Sequence, residues 1–121
     1  MDYKGKTFKS EWKDNILFIE VNEYDDDMFG LLHIIIDAAE KQGDYNMLWD
    51  FRMADHPGFM KMPKIMYNIA KLYSVTKNVQ RSSILVQHKN NSLTNTIIKT
   101  LNFYDTSYIG CNPVEAMQHI S

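Results

Sequence analysis

The chain has 121 residues, is 45% hydrophobic and carries a net charge of −2, with acids and bases spread along it. That length suits a single domain, residues 1–121, whose core closes without a metal or a disulfide. The missing basic surplus argues against a nucleic-acid partner, because neutralised phosphates supply most of the affinity for one. The lone Cys111 agrees with a reducing compartment, and Met1–Lys6 leads into polar sequence with no signal-peptide core. The apolar stretch around Leu31–Ala39 is far short of the roughly 20 residues that span a bilayer. The expected location is the cytoplasm.

In chain order, Thr7–Trp12 and Ile16–Val21 flank Lys13-Asp14-Asn15 and predict an antiparallel hairpin. Leu17, Ile19 and Val21 share one face of the second strand, while Ile16 and Phe18 take the other, so that strand is expected to be covered on both sides for part of its length. Asp25-Asp26-Asp27 can cap a helix and complement its positive end. Met28, Leu31, Leu32, Ile35, Ala38 and Ala39 then form a stripe at helical spacing. Burial of its four larger members contributes roughly 1.5–3 kcal/mol each. Phe29 and Ile36 fall off the stripe and either widen the core face or mark a partner surface. Lys41 and Gly43 fit a helix stop.

Tyr45–Met53 reads as a strand with Met47, Trp49 and Phe51 on one face and Leu48, Asp50 and Arg52 on the other, closed by Asp55-His56-Pro57-Gly58. A second helix is predicted from near Pro63, with Ile65, Met66, Ile69, Leu72 and Tyr73 inward and Lys64 and Lys71 in water. Ser83–Gln87 reads as a buried parallel strand. Asn91 or Ser92 would cap a third helix bearing Leu93, Ile97 and Leu101, and Phe103–Ile109 is the last strand. Asn112-Pro113-Val114-Glu115 has the cap, the proline and the glutamate of a helix start, docked by Ala116, Met117 and Ile120. The order is ββαβαβαβα. It predicts an α/β fold: an opening hairpin, three βα units, a mixed and mostly parallel sheet, and about four helices.

This order is similar to the STAS superfamily, which takes in sulphate-transporter cytoplasmic domains and anti-sigma-factor antagonists. Two segments bring it nearer to small stand-alone bacterial members grouped with CRAL-TRIO-type lipid-binding domains. They are Tyr45-Asn46-Met47-Leu48-Trp49-Asp50-Phe51-Arg52, like a family strand ending in Asp-hydrophobic-Arg, and Asn112-Pro113-Val114-Glu115-Ala116. The resemblance covers nearly the whole chain. It implies a STAS-like domain acting as a non-catalytic protein-interaction or regulatory module. The lipid-binding relatives imply the alternative, a carrier or sensor of a lipid-like apolar ligand. The antagonists carry a serine in the loop after the equivalent strand, and its phosphorylation switches partner binding. Here Met53-Ala54-Asp55-His56-Pro57-Gly58 holds no hydroxyl to receive that charge.

Asp50, Arg52, Asp55 and His56 are the densest cluster of chemically capable residues, at the C-terminal end of a parallel strand where open α/β sheets place ligand sites. Asp50 and Arg52 share a face and can either pair with each other or reach a ligand together. Phe59, Met60, Met62 and Met66, with Met53, crowd the following loop and helix. Flexible thioethers suit an adaptable surface for a protein or a lipid-like ligand, with core filling as the plain alternative. Lys61 and Lys64 stand near enough to meet an anionic headgroup. His33, His56, His88 and His119 show no metal spacing, Ser82, Ser83 and Ser92 no nucleophile elbow, and the five glycines no phosphate loop. No cofactor, metal or catalytic set is therefore expected. The expected partner is another protein, a second copy or a lipid-like small molecule.

Overall fold

A computed structural model describes residues 1–55, 58, 60–87 and 107–121. Among the described residues six strands form one sheet in chain order. β1 (Tyr3–Lys4), β2 (Phe8–Lys13) and β3 (Ile16–Val21) are antiparallel neighbours. β4 (Tyr45–Asp50), β5 (Val79–Leu85) and β6 (Ser107–Gly110) continue from β3 in parallel. Three helices lie among the described residues: α1 (Asp26–Glu40), α2 (Met62–Ser74) and α3 (Pro113–Ile120). None is long and apolar enough to cross a membrane.

The predicted hairpin forms as β2–β3. Asp14 and Asn15 both take left-handed φ, 53° and 63°, which a two-residue turn with the twist of the flanking strands requires. The short edge strand β1, with Tyr3 opposite Ser10, extends this opening beyond a simple hairpin. Two exposed residues carry no periodicity, so β1 had no sequence signal.

Asp25 caps α1 through Oδ1, which accepts from the Asp27 amide at 2.8 Å. Phe29 and Ile36 are buried with Met28, Leu32, Ile35 and Ala39, so they widen the core face and are not a partner surface. Crossovers that advance the same way across a parallel sheet put α1 and α2 on one face. There they bury Leu17, Ile19 and Val21 of β3 and Met47 of β4 in the main core. The opposite face carries a smaller cluster in which Ala116 and Ile120 of α3 cover Ile16, Leu48 and Leu85. β3 is thus apolar on both faces for the reason its sequence suggested.

Two boundaries and one docking contact differ from expectation. β5 begins at Val79, not Ser83, because the Glu40 carboxylate accepts from the amides of Lys77 (2.8 Å) and Asn78 (3.2 Å) and fixes the entry to the strand. Polar Gln80 and Arg81 are exposed there and hid the strand. β4 ends at Asp50, not Met53, because the chain folds back on the Asp50 carboxylate. Met117 of α3 remains exposed instead of docking. The helix expected after Asn91 or Ser92, and the start of the last strand at Phe103, lie outside the described residues. Asn112 does cap α3, accepting from the Val114 amide at 3.0 Å.

Candidate functional site

The end of β4 is held from three directions. Asp50 Oδ1 accepts from the Arg52 amide and from Arg52 Nε, both at 3.0 Å, and Oδ2 accepts from Nη2 at 2.8 Å. The Phe51 amide donates to the Leu85 carbonyl at 2.8 Å, and the Ala54 amide to the Phe51 carbonyl at 3.1 Å. The Gln87 side-chain amide donates to the Arg52 carbonyl. The rings of Trp49 and Phe51 stack at 5.7 Å, with Phe51 and Ala54 buried beneath the turn.

This answers the first question left by the sequence. Asp50 and Arg52 form a bidentate pair, the fixed fork that guanidinium and carboxylate make best. The hydrogen bond to Asp50 is the main cause that raises the Arg52 pKa above its ordinary value. Both Asp50 oxygens engage one edge of the Arg52 guanidinium, so the pair braces the loop. The side chain of Arg52 is 40% exposed and that of Asp50 only 15%, so the brace sits at the rim of the sheet.

Asp55 is exposed, and His56 and Phe59 lie outside the described residues. Gly58 has φ 90°, a left-handed conformation that glycine accepts without strain, and its carbonyl accepts from the Lys61 and Met62 amides at 3.3 and 3.2 Å. That turn launches α2 and aims the methionines. Met62 and Met66 are half-buried against the main core, which leaves Met60, 95% exposed, and Met53, 66% exposed, as the outward pair. The grouped methionines are therefore two core fillers and two surface residues. Tyr67, 68% exposed, was not among the candidates, although its place off the Ile65, Ile69, Leu72 stripe was readable.

An apolar cavity of about 20 Å³ lies between the sheet and the helices, bordered by Tyr24, Met28, Trp49, Ile69, Tyr73 and Thr76 among others. Space of that size holds about one water. The Tyr24 hydroxyl is shut off from solvent there and has no hydrogen-bond partner among the described residues. Its burial pushes the phenol pKa well above the ordinary value. Among the described residues no three His, Cys, Asp or Glu side chains come together as a metal site.

A six-stranded mixed sheet with α1 and α2 on one face and α3 on the other is a STAS-like fold, as the order of elements suggested. A crystal structure of an anti-sigma factor antagonist from Mycobacterium paratuberculosis is similar to it, with a TM-score of 0.62 and 15% sequence identity over 94% of this chain and 92% of that one. No protein-family profile matches the chain, and no curated protein does.

Proposed function

We propose that this chain is a non-catalytic, STAS-like interaction module of the cytoplasm that binds a protein partner through the connection from β4 to α2. Met53, Asp55 and Met60 would make the contact, with His56 and Phe59 beside them in sequence. The observation that carries the reading is the near-complete exposure of Met60, together with that of Met53, on a connection whose start is braced by Asp50 and Arg52. A braced base lowers the backbone cost of ordering on binding, and flexible thioethers adapt to a partner as water is excluded. The similar solved structure is an anti-sigma factor antagonist, which supports a regulatory role of this general kind. Phosphorylation of the loop is not part of the reading, since Met53–Gly58 has no hydroxyl.

A carrier of an apolar ligand would need a chamber of roughly 300 Å³ or more, against the cavity of about 20 Å³ beside Tyr24. The test is affinity capture from an extract of the native host with the tagged chain. Met60→Asp and Phe59→Asp are expected to lose the captured protein at an unchanged melting temperature. Undiminished capture by both variants would refute this surface. Retention of lipid by the freshly purified chain in native mass spectrometry would favour the carrier.

A further inference from the structure

The net charge is only −2, but the even spread of acids and bases expected of the whole chain fails in its second half. No Asp or Glu occurs between Asp55 and Asp105, a stretch with seven Lys and Arg. The fold sets this basic stretch beside an acidic one. On the outer surface of α1, Asp27, Gly30, Ile34 and Asp37 are exposed at helical spacing, and Ile34 is 65% exposed. On the outer surface of α2, Lys64, Tyr67 and Lys71 are exposed at the same spacing. Each helix thus shows solvent an apolar centre, acidic in flank on α1 and basic on α2.

The two helices run side by side in the same direction, since both return between parallel strands. Asp26 lies level with Lys64, to which it is bonded at 2.9 Å. Further along, Phe29, Gly30 and His33 face Asn68, Lys71 and Leu72 across a groove of about 340 Å³. Gly30 itself has no reason within this chain. It sits mid-helix, where glycine is a poorer choice than alanine, and a Cβ built on it meets nothing within 4 Å. Its φ is not left-handed either.

We propose that the chain pairs with a second copy of itself through this outer face, about a two-fold axis running along the groove. That operation lays α1 of each copy on α2 of the other and keeps their levels. Tyr67 then meets the bare backbone at Gly30 of the second copy, which explains both the exposed ring and the missing side chain. Lys71 comes within reach of Asp37 of the second copy, and Lys64 of its Asp27. An anionic membrane suits this face poorly, because Asp27 and Asp37 would be repelled by the lipids that attract Lys64 and Lys71. A uniformly acidic protein meets the same repulsion. A second copy brings the matching sign to each helix.

Two helices of about 20 Å, set about 10 Å apart, give a contact at the low end of stable interfaces, so the dimer is weak and depends on concentration and salt. The face is separate from the Met53 and Met60 contact proposed above, and either can fail while the other stands.

The experiment is sedimentation velocity of the full chain from about 5 to 500 µM, in about 50 and 500 mM salt. The expected result is a monomer–dimer equilibrium that weakens at high salt. Gly30→Phe, which fills the space the ring needs, and Lys71→Glu should each weaken it at least about tenfold while the melting temperature of the monomer holds. Tyr67→Ser removes the ring from the other side and gives the same loss should Gly30→Phe fail to fold. Lys71→Glu combined with Asp37→Lys restores the charge match and should recover the dimer. A monomer at every concentration overturns the proposal, as does a dimer indifferent to these substitutions. Binding of the monomer to phosphatidylserine vesicles without self-association would overturn it in favour of a membrane.

Discussion

Replacing Tyr24 by Phe removes one oxygen that lacks a hydrogen-bond partner among the described residues and is closed to solvent. Leaving such a group unsatisfied costs about 1–3 kcal/mol of stability. Deleting the oxygen enlarges the neighbouring cavity by on the order of 10 Å³, which takes back about 0.2–0.3 kcal/mol. Tyr24→Phe is therefore expected to stabilise the fold by about 1–2 kcal/mol. For a chain of 121 residues, with an unfolding entropy near 2.1 cal/mol/K per residue, the melting temperature should rise by about 4–8 °C.

The pH dependence gives a second reading of the same group. The folded pKa of Tyr24 is raised above its unfolded value, about 10, so the fold binds that proton more tightly than the unfolded chain does. This contribution is present in full below about pH 10 and is lost as pH climbs from there toward the folded pKa. The variant lacks it, so its advantage over the natural chain should widen above about pH 10. Urea titrations followed by circular dichroism at neutral pH and in steps from about pH 9 to about pH 11 measure both effects. Destabilisation by Tyr24→Phe, or a constant difference across the alkaline range, would refute the reasoning. It would point to a water in the cavity that satisfies the hydroxyl.

Asp50→Ala leaves Arg52 without its fork and the Arg52 amide without its acceptor, and since Arg52 is partly exposed the loss should be modest, about 0.5–1.5 kcal/mol in urea unfolding. Proteolysis should become faster at the Met53–Asp55 turn with cleavage elsewhere unchanged. Ile120→Ala empties the smaller core under α3 and should cost about 2–4 kcal/mol by the same assay. Ser83→Ala, which removes the buried donor to the Ala116 carbonyl at 2.7 Å, should cost about 1 kcal/mol.

Features set by short stretches of chain could be read directly. The Asp14-Asn15 turn, the Asp25 and Asn112 caps and the buried stripes of α1 and α2 depend on residues within a few positions of one another. The two-sided apolar pattern of β3 likewise announced cover on both faces, and so the layered α/β order.

Tertiary structure decided everything that depends on which distant groups meet. β5 starts four residues early because Glu40, nearly forty positions away, holds its entry. That Asp50 and Arg52 pair with each other was decided by the turn that closes over them. The loop methionines have one chemistry, and only the angle at which α2 leaves Gly58 sends Met62 inward and Met60 out. Likewise the lysines of α2 came to lie beside acidic α1 only when packing set the two helices together. Periodicity and capping are local energies and are written in neighbouring residues. Burial and charge pairing belong to groups that folding alone makes neighbours.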